Sequence, residues 1–264
     1  MGFFFLVEVS DSIFIIFWRL YCTSERSRSP TSHSQRHHDK IRQQSKFKGC
    51  ITMKILVTGF EPFGGQALNP SWMAVNGLPK EINDATIDVL QIPTAFFRAV
   101  DKIEEKLEQE HYDVVLAVGQ AGGRHAVTPE RVGINLDDAS IPDNLDKQPI
   151  DEMIHKDGAN AYFTNLPIKR MVDAIRTHDI PSAVSNSAGT FVCNHVLYSL
   201  GYLQDKKYPN LKFGFIHVPF MHDQVEDNKY PSLSLVELVI ALKAAIRVIT
   251  EHTDDIREPY GTTH

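Results

Sequence analysis

The residue best suited to chemistry in this chain is Cys193, which stands in the segment GTFVCNH at 189–195. The residues before it, at 183–187, have the pattern of a short buried strand, and the apolar residues after it recur at helical spacing. A thiol at such a junction faces unpaired backbone N–H groups and the positive end of a helix dipole, and both favour the thiolate. Cys193 is therefore a candidate nucleophile. The alternative is the role of most free cysteines, that of a small core residue.

A cysteine nucleophile needs a base, and two histidines come into question. His195 is nearest in sequence, but positions i and i+2 of a helix point to different sides, so a surface or structural role fits it better. His217 lies at the C-terminal end of the apolar segment 213–218. In an open α/β sheet that edge is where sites form. His217 is therefore the predicted base, with a structural strand histidine as the alternative.

The base in turn needs a group that orients its ring, and Glu130 is the candidate. It is the acid of the segment TPERVGIN at 128–135, which is otherwise weakly polar. A half-buried carboxylate there requires a partner, and an imidazole would provide one. The alternative is a surface glutamate paired with Arg131.

Two glycine-rich segments each follow an apolar run and raise the question of a bound nucleotide. The first, GFEPFGG at 59–65, has the glycine spacing of a phosphate loop, but Gly-Gln replaces the Lys-Ser/Thr of such loops. The second, GQAGG at 119–123, also lacks a phosphate-binding lysine. Because two aromatic residues, Phe60 and Phe63, flank a proline in the first loop, this loop suits a flat, uncharged ligand better than a phosphate.

The elements that must position these residues alternate between apolar runs and amphipathic segments. The predicted strands are 54–58, 86–92, 114–118 and 213–218. Five helices are predicted: 71–78, a helix with apolar residues from Phe96 to Leu107 on one face, a helix with apolar residues from Ile168 to Ile175, the segment after Cys193, and a last helix capped by Ser234 and Glu237. Fully apolar strands between amphipathic helices predict an α/β fold, a three-layer α/β/α sandwich around a mostly parallel twisted sheet. Segment 124–151 is too polar for the sheet core and is predicted to be a hairpin-like excursion that carries function.

Composition and charge restrict the class of protein. The chain has 264 residues, of which 42% are hydrophobic, and this suffices for one substantial core. Residues 53–264 carry 19 Lys and Arg against 29 Asp and Glu, and such an acidic body argues against a nucleic-acid surface. Three cysteines cannot form a disulfide framework, which favours a reducing, cytoplasmic location.

The first 52 residues have a different composition, with 8 Lys and Arg against 4 Asp and Glu. Their longest uncharged apolar run, at 12–18, is far shorter than a membrane span, so no membrane association is expected. They also lack the basic start and cleavage site of a signal peptide. Segment 23–48 is rich in Ser, Arg, His and Gln and is predicted to be disordered. We interpret residues 1–52 as a disordered tail or as translation upstream of a true start at Met53, with organelle targeting as the alternative.

Nine motifs along the rest of the chain resemble, in order, those of the pyroglutamyl peptidase I (pyrrolidone-carboxylate peptidase) family. They are KILVTGFEPFGG at 54–65, NPSW at 69–72, VGQAGGR at 118–124, TPERVGIN at 128–135, IPDN at 141–144, AYFTNLPIKR at 161–170, AGTFVCNH at 188–195, FIHVPF at 215–220 and PSLSL at 231–235. Several long motifs in one order are far more specific than any single motif. The resemblance runs from Met53 to about Glu258, so 53–264 is the predicted catalytic domain.

The resemblance implies a cysteine peptidase, without cofactor or metal, that removes an N-terminal pyroglutamyl (5-oxoprolyl) residue from peptides. The family's nucleophile, base and orienting acid fall on Cys193, His217 and Glu130. Family members are often tetramers, so a homo-oligomer is expected.

The resemblance also implies where the substrate binds. A pyroglutamyl terminus presents a flat lactam with one N–H and one C=O and no ammonium group, and Phe60 and Phe63 are suited to sandwich that ring. The family pattern further places Asn69, Gln120 and Phe191 near the pocket. The alternatives are a helix cap for Asn69 and a core position for Phe191.

Two other classes of protein remain compatible with the pattern. A purine-phosphorylase-like enzyme would share the sheet architecture and the glycine loops, and its activity would require phosphate. A non-catalytic binding protein would tolerate alkylation of its thiol without loss of function.

Overall fold

The computed structural model describes residues 53–225 and 229–261, so the predictions for residues 1–52 lie outside the described residues. Within these ranges the strands are β1 (Lys54–Phe60), β2 (Glu81–Ile82), β3 (Ala85–Ile92), β4 (Val114–Gln120), β5 (Thr128–Pro129), β6 (Val132–Ile134), β7 (Ala161–Phe163), β8 (Lys212–Val218), β9 (Phe220–Met221) and β10 (Ser232–Leu233), and the α-helices are α1 (Pro70–Asn76), α2 (Arg98–Gln109), α3 (Ile168–Arg176), α4 (Val192–Lys206) and α5 (Leu235–Glu251).

Six strands form the main sheet in the order β2-β3-β1-β4-β8-β5. The four central strands are parallel, since β1 pairs in parallel with β3 and β4, and β4 pairs in parallel with β8. The two edge strands, β2 and β5, are antiparallel to their neighbours. The carboxyl ends of β1, β4 and β8 therefore lie side by side at one edge of the sheet.

Helices cover both faces of this sheet. On β1, Ile55 and Val57 belong to one core with residues of α1, α3 and α5, whereas Leu56 belongs to a second core with residues of α2 and α4. Successive strand residues point to opposite faces, so an apolar run such as KILVT requires cover on both sides. The predicted three-layer α/β/α fold is confirmed.

Local sequence explains where two of the helices begin. Asn69 caps α1, because its side-chain oxygen accepts the N–H of Ser71, and Pro70 occupies the first turn, where its missing N–H costs nothing. Helix α5 has the predicted capping box, in which Ser234 and Glu237 each bond to the other's backbone N–H.

Two predicted elements differ from the structure. Phe96 is buried but lies before α2, which begins only at Arg98, because Phe97 adopts a positive φ of 63° that no helix accommodates. Segment 183–187 is not a strand. Ser185 within it forms only an isolated bridge to Glu130, and Ser182 just before it forms one to Val127.

The polar excursion is divided between two sheets. Its β5 joins the main sheet beside β8, while β6 forms a separate antiparallel pair with β7. A two-residue strand such as β5 has no periodicity from which it can be predicted. Among the described residues, no helix is long and apolar enough to cross a membrane.

Candidate active site

A cavity of about 220 Å³ opens at the carboxyl ends of the parallel strands. Seven of the eight predicted site residues line it, together with Thr94, Ala121, Arg124, Ala188 and Gly189. The seven are Phe60, Phe63, Asn69, Gln120, Phe191, Cys193 and His217. The eighth, Glu130, is fully buried and reaches the site through His217.

Cys193 is the second residue of α4 and lies in its first turn, two positions after the N-cap residue Phe191. The turn before the helix contains Gly189 with φ 80°, a conformation that favours glycine. On the other side, Gly119 of β4 gives the thiol room, because a Cβ at that position would lie 2.8 Å from Sγ of Cys193. The thiol is thus held between a helix N-terminus and the backbone of the central sheet.

The electrostatic surroundings of this thiol differ from the sequence-based expectation. Burial raises the pKa of Cys193 to about 12, and the negative charge of Glu130 acts in the same direction. Desolvation thus opposes the stabilisation of the thiolate that is expected from the helix N-terminus. A thiol whose pKa is raised in this way has to transfer its proton to a base when it reacts.

His217 and Glu130 form a buried hydrogen-bonded pair. Nδ1 of His217 lies 2.7 Å from Oε1 of Glu130, and the two side chains are 4% and 0% exposed. Strand β5 makes this contact possible, since it pairs Thr128 with His217 and brings the next residues of the excursion behind the imidazole. Because Glu130 occupies Nδ1, Nε2 is the nitrogen of His217 that is left for the cavity.

The pKa values of this pair are both lowered. Burial lowers the pKa of His217, against the opposing effect of Glu130. Burial alone would raise the pKa of Glu130, but the hydrogen bond and charge of His217, the Ser185 hydroxyl and the charge of Arg124 bring it below its usual range. The pair therefore combines a neutral imidazole with an ionised carboxylate. The alternative partner, Arg131, instead bonds to Asn186.

Aromatic rings form one wall of the cavity. The ring of Phe191 lies 6.2 Å from that of Phe63 and 5.3 Å, edge to face, from that of Phe96. Phe60 is 2% exposed and packs 6.3 Å from Phe215 behind the site. Phe191 thus belongs both to the core and to the cavity wall. Such a wall accommodates a flat, weakly polar group.

The polar residues of the cavity are held by further hydrogen bonds. Asn69 both caps α1 and lines the cavity, and its amide nitrogen donates to the carbonyl of Glu61 at 3.0 Å. The side-chain oxygen of Gln120 accepts from Gln224 at 3.1 Å, and within 53–225 and 229–261 the amide nitrogen of Gln120 has no acceptor, so it can donate to a ligand.

Two residues near the site were not predicted to take part. Arg124 is the last residue of VGQAGGR, and as a cation at the end of an otherwise uncharged glycine loop it carried a recognisable signal. Thr94 lines the cavity, and its hydroxyl donates to the carbonyl of Glu61 at 3.0 Å. No pattern in the sequence distinguished Thr94. Within 53–225 and 229–261, no group of three His, Cys, Asp or Glu side chains is arranged to hold a metal ion.

A thiol and an imidazole that line one cavity, with the imidazole held by a buried carboxylate, form the constellation of a cysteine-type hydrolase. The sequence profile of the pyroglutamyl peptidase family matches residues 53–252. The chain therefore belongs to the pyroglutamyl peptidase family, as the motifs indicated. This excludes the phosphorylase-like alternative.

Individual relatives agree with the family assignment. The chain is 57% identical over 210 residues to the pyrrolidone-carboxylate peptidase of Staphylococcus carnosus. The aligned region covers 79% of this chain and 99% of that protein. It is 58% identical over 212 residues to that of Staphylococcus aureus, covering 80% and 100%. Among solved structures, pyroglutamyl peptidase I from Bacillus amyloliquefaciens superposes with a TM-score of 0.77 at 45% identity, covering 79% of this chain and 100% of that one. The enzyme from Thermococcus litoralis superposes with a TM-score of 0.74 at 36% identity, covering 78% and 99%.

Proposed function

We propose that this protein hydrolyses the bond after an N-terminal pyroglutamyl residue of peptides, with Cys193 as nucleophile, His217 as base and Glu130 as the acid that orients the base. The observation that carries the proposal is the 2.7 Å hydrogen bond between His217 and Glu130, placed behind a cavity that the Cys193 thiol also lines. The names of the relatives supply the substrate class, and the aromatic wall of the cavity suits a lactam ring.

The mechanism follows from the protonation states of the three groups. Nε2 of His217 takes the thiol proton as Sγ of Cys193 attacks the pyroglutamyl carbonyl, and Glu130 stabilises the imidazolium that forms. The tetrahedral intermediate collapses when the C–N bond breaks and His217 protonates the leaving amine. Water then attacks the thioester carbonyl and gives one proton to His217. The C–S bond breaks, pyroglutamate is released, and the Cys193 thiolate takes the proton back from His217.

Backbone N–H groups stabilise the oxyanion of the intermediate in this proposal. One is that of Cys193, which lies in the first helical turn and therefore lacks an intrahelical acceptor. The loop after β4 supplies another. The N–H groups of Ala121 and Arg124 already donate to the carbonyls of Val218 and Ala121, so Gly122 and Gly123 are the candidate donors of this loop.

Recognition of the lactam rests on aromatic contact and on amide donors. Phe63 and Phe60 enclose the ring, and the free amide nitrogen of Gln120 is a suitable donor to the lactam oxygen. A prolyl terminus has the same ring but lacks that oxygen and carries a charge on its nitrogen. It would leave polar groups of the site unpaired and bring a cation against aromatic faces, and we expect roughly 10³-fold rejection or more.

The test is the release of a chromogenic amine from pyroglutamyl and prolyl amides that share one leaving group. We expect a much higher kcat/KM for the pyroglutamyl amide and loss of activity after iodoacetamide. Comparable kcat/KM values for the two amides would contradict lactam recognition. Unchanged turnover after complete alkylation of Cys193 would contradict the nucleophile, and absence of turnover in the untreated protein would favour the non-catalytic alternative.

A substitution in the aromatic wall tests the pocket. Phe63→Ala should raise KM for the pyroglutamyl amide at least about fivefold, because loss of an aromatic contact costs about 1–3 kcal/mol. Phe60→Ala should also raise KM. Because Phe60 is a core residue, the melting temperature of this variant has to be compared with that of wild type. The matched control is Phe163→Ala, since Phe163 is 65% exposed on β7 and does not line the cavity. An unchanged KM in Phe63→Ala would place the ring elsewhere.

We further propose that the enzyme is a cytoplasmic homo-oligomer, a tetramer by family resemblance. Three large apolar side chains on segment 145–153 are more than half exposed, which is consistent with a surface that another subunit covers. They are Leu145, Ile150 and Met153. The dependence on a free thiol at Cys193 fits a reducing compartment. Light scattering of the purified protein gives the subunit number, and a monomer at micromolar concentration would contradict the assembly.

A further inference from the structure

Arg124 connects three parts of the active site. Its Nη1 donates to Oε1 of Glu130 at 2.6 Å and to the hydroxyl of Thr128 at 2.7 Å. Its Nη2 donates to the carbonyl of Ser187 at 2.9 Å, in the loop that leads to α4. The side chain is 32% exposed and lines the cavity. The guanidinium thus joins the loop after β4, the strand β5 and the segment that precedes the nucleophile.

Arg124 bonds to the same oxygen of Glu130 that holds His217. Oε1 of Glu130 accepts hydrogen bonds from both Arg124 and Nδ1 of His217, whereas Oε2 has no partner among the described residues. Without Arg124, the partners of this fully buried carboxylate would be uncharged, namely the imidazole of His217 and the Ser185 hydroxyl. A buried carboxylate that has lost its cation is poorly solvated and turns toward other donors.

We propose that Arg124 is a positioning residue of the catalytic triad, which fixes the Glu130 carboxylate so that Nδ1 of His217 keeps its proton and Nε2 faces the thiol. This inference rests on the proposed function, because it assigns Arg124 a role in the same reaction. It assigns no contact between Arg124 and the substrate.

Arg124 and Glu130 have opposite effects on the pKa values of the site. Among the described residues, the charged groups that act on both His217 and Cys193 are Glu130 and Arg124. The positive charge of Arg124 lowers the pKa of each, whereas Glu130 raises the pKa of each. Removal of Arg124 should therefore raise both pKa values and move the reactive form of the site to higher pH.

Arg131 offers a matched control. It lies next to Glu130 in sequence, carries the same charge and bonds through Nε to Asn186 at 2.8 Å, in the same loop that Arg124 reaches. It makes no hydrogen bond to Glu130. Arg131→Gln therefore removes an equal charge close by without altering the contact under test.

The experiment compares Arg124→Gln, Arg124→Lys and Arg131→Gln in the full chain. For Arg124→Gln we expect kcat to fall on the order of 10²-fold with KM within about threefold of wild type. We expect Arg124→Lys to recover part of the loss, because it restores the charge but not the planar fork. Arg131→Gln should match wild type. A raised KM with unchanged kcat would show a substrate contact and overturn the proposal.

A second measurement does not require turnover. The rate of Cys193 alkylation by iodoacetamide, followed against pH, reports the reactive thiol directly. Its profile should move to higher pH in Arg124→Gln and stay unchanged in Arg131→Gln. An unmoved profile would overturn the positioning role. If wild type released no amine but the profile moved, the proposed substrate would fail while the role of Arg124 stood.

A double-mutant cycle tests the route of the effect. If Arg124 acts through Glu130, then Arg124→Gln in a Glu130→Gln background should lower kcat by no more than about threefold. Full additivity of the two losses would show that Arg124 acts independently of Glu130 and would overturn the proposal. Arg124→Lys keeps a positive charge beside the buried Glu130 carboxylate. Comparison of Arg124→Gln with Arg124→Lys therefore separates a loss of folding from a loss of positioning.

Discussion

The described part of the chain contains two buried histidine–carboxylate pairs with the same hydrogen-bond length and different uses. Nδ1 of His217 lies 2.7 Å from Glu130, and Nδ1 of His195 lies 2.7 Å from Asp137. All four side chains are at most 4% exposed. Burial, distance and residue type therefore do not distinguish a catalytic pair from a structural one.

The difference lies in the second ring nitrogen. Nε2 of His195 accepts the backbone N–H of Phe97 at 3.2 Å. Phe97 has φ 63°, and the N–H of Arg98 donates to the carbonyl of Phe96 at 2.7 Å, which closes a tight γ-turn. Such a turn is strained by about 1–3 kcal/mol. His195 holds it in place, so its imidazole has no nitrogen left for chemistry.

His217 has the opposite arrangement. Its Nδ1 is fixed by Glu130, while its Nε2 has no hydrogen-bond partner among residues 53–225 and 229–261 and its ring lines the cavity with Cys193. A histidine–carboxylate pair becomes a base only where its outer nitrogen faces a group that can give up a proton.

The largest expected effect is at the thiol, which only the His217 pair approaches in this cavity. Cys193→Ala should abolish turnover and leave the fold and substrate binding intact. Cys193→Ser should be nearly as inactive, because a hydroxyl is a far weaker nucleophile beside a base suited to a thiol. Amide hydrolysis and calorimetric substrate binding check this. More than a few per cent of wild-type activity in purified Cys193→Ala would show that Cys193 is not the nucleophile.

The two histidines should respond to alanine in opposite ways. His217→Ala should lower kcat on the order of 10³-fold or more, with a folded protein. His195→Ala breaks a buried pair and should cost about 3–5 kcal/mol of unfolding free energy, with a smaller effect on kcat. Thermal unfolding and steady-state kinetics of both variants separate the effects. A folded His195→Ala variant as inactive as His217→Ala would show that the base is assigned to the wrong histidine.

The carboxylates of the two pairs, Glu130 and Asp137, should also differ in their effect on kcat. Glu130→Gln keeps shape and hydrogen bonding but loses the charge that stabilises the imidazolium, so its loss of kcat should be smaller than that of His217→Ala. Asp137→Asn keeps an acceptor for Nδ1 of His195 and should leave kcat close to wild type. A loss of kcat in Asp137→Asn as large as that in Glu130→Gln, with the fold intact, would contradict a purely structural role for the second pair.

The pH dependence of stability should carry the signature of His217. Its pKa is lowered in the folded protein, so below about pH 6.5 the unfolded chain binds a proton that the native state does not, and stability falls. Glu130, whose pKa is also lowered, contributes stability above about pH 4.5 that is lost only as the pH falls through its folded value. His217→Gln should therefore lose less melting temperature than wild type between pH 7 and pH 5. Equal losses would show that His217 is not the group responsible.

Much of this arrangement followed from sequence because it depends on repeated local signals. The apolar runs of β1, β4 and β8 predicted their own burial on both faces, and the order of nine motifs predicted the family. Cys193 was placed at a helix start because helical periodicity begins immediately after it.

The parts that could not be predicted depend on contacts between distant residues. The start of α2 depends on the γ-turn at Phe97, which is held by His195, 98 residues away in sequence. Glu130 reaches His217 through a two-residue strand and a contact 87 residues apart. The direction in which the pKa of Cys193 shifts depends on burial and on Glu130, and a predicted helix N-terminus gives no information about either. In each case long-range packing outweighed a local preference.

The smallest expected effect concerns residues 1–52. Residues 1–52 lack a core pattern, a helical period and a membrane-length apolar run, and the family profile begins at residue 53. We propose that residues 53–264 form the catalytic domain, because the family profile matches residues 53–252. A chain beginning at Met53 should match the full-length kcat/KM and the full-length melting temperature and should be more soluble. A clear loss of activity with an unchanged melting temperature would place part of the tail at the His217 site, whereas a fall in melting temperature alone would place it against the domain core.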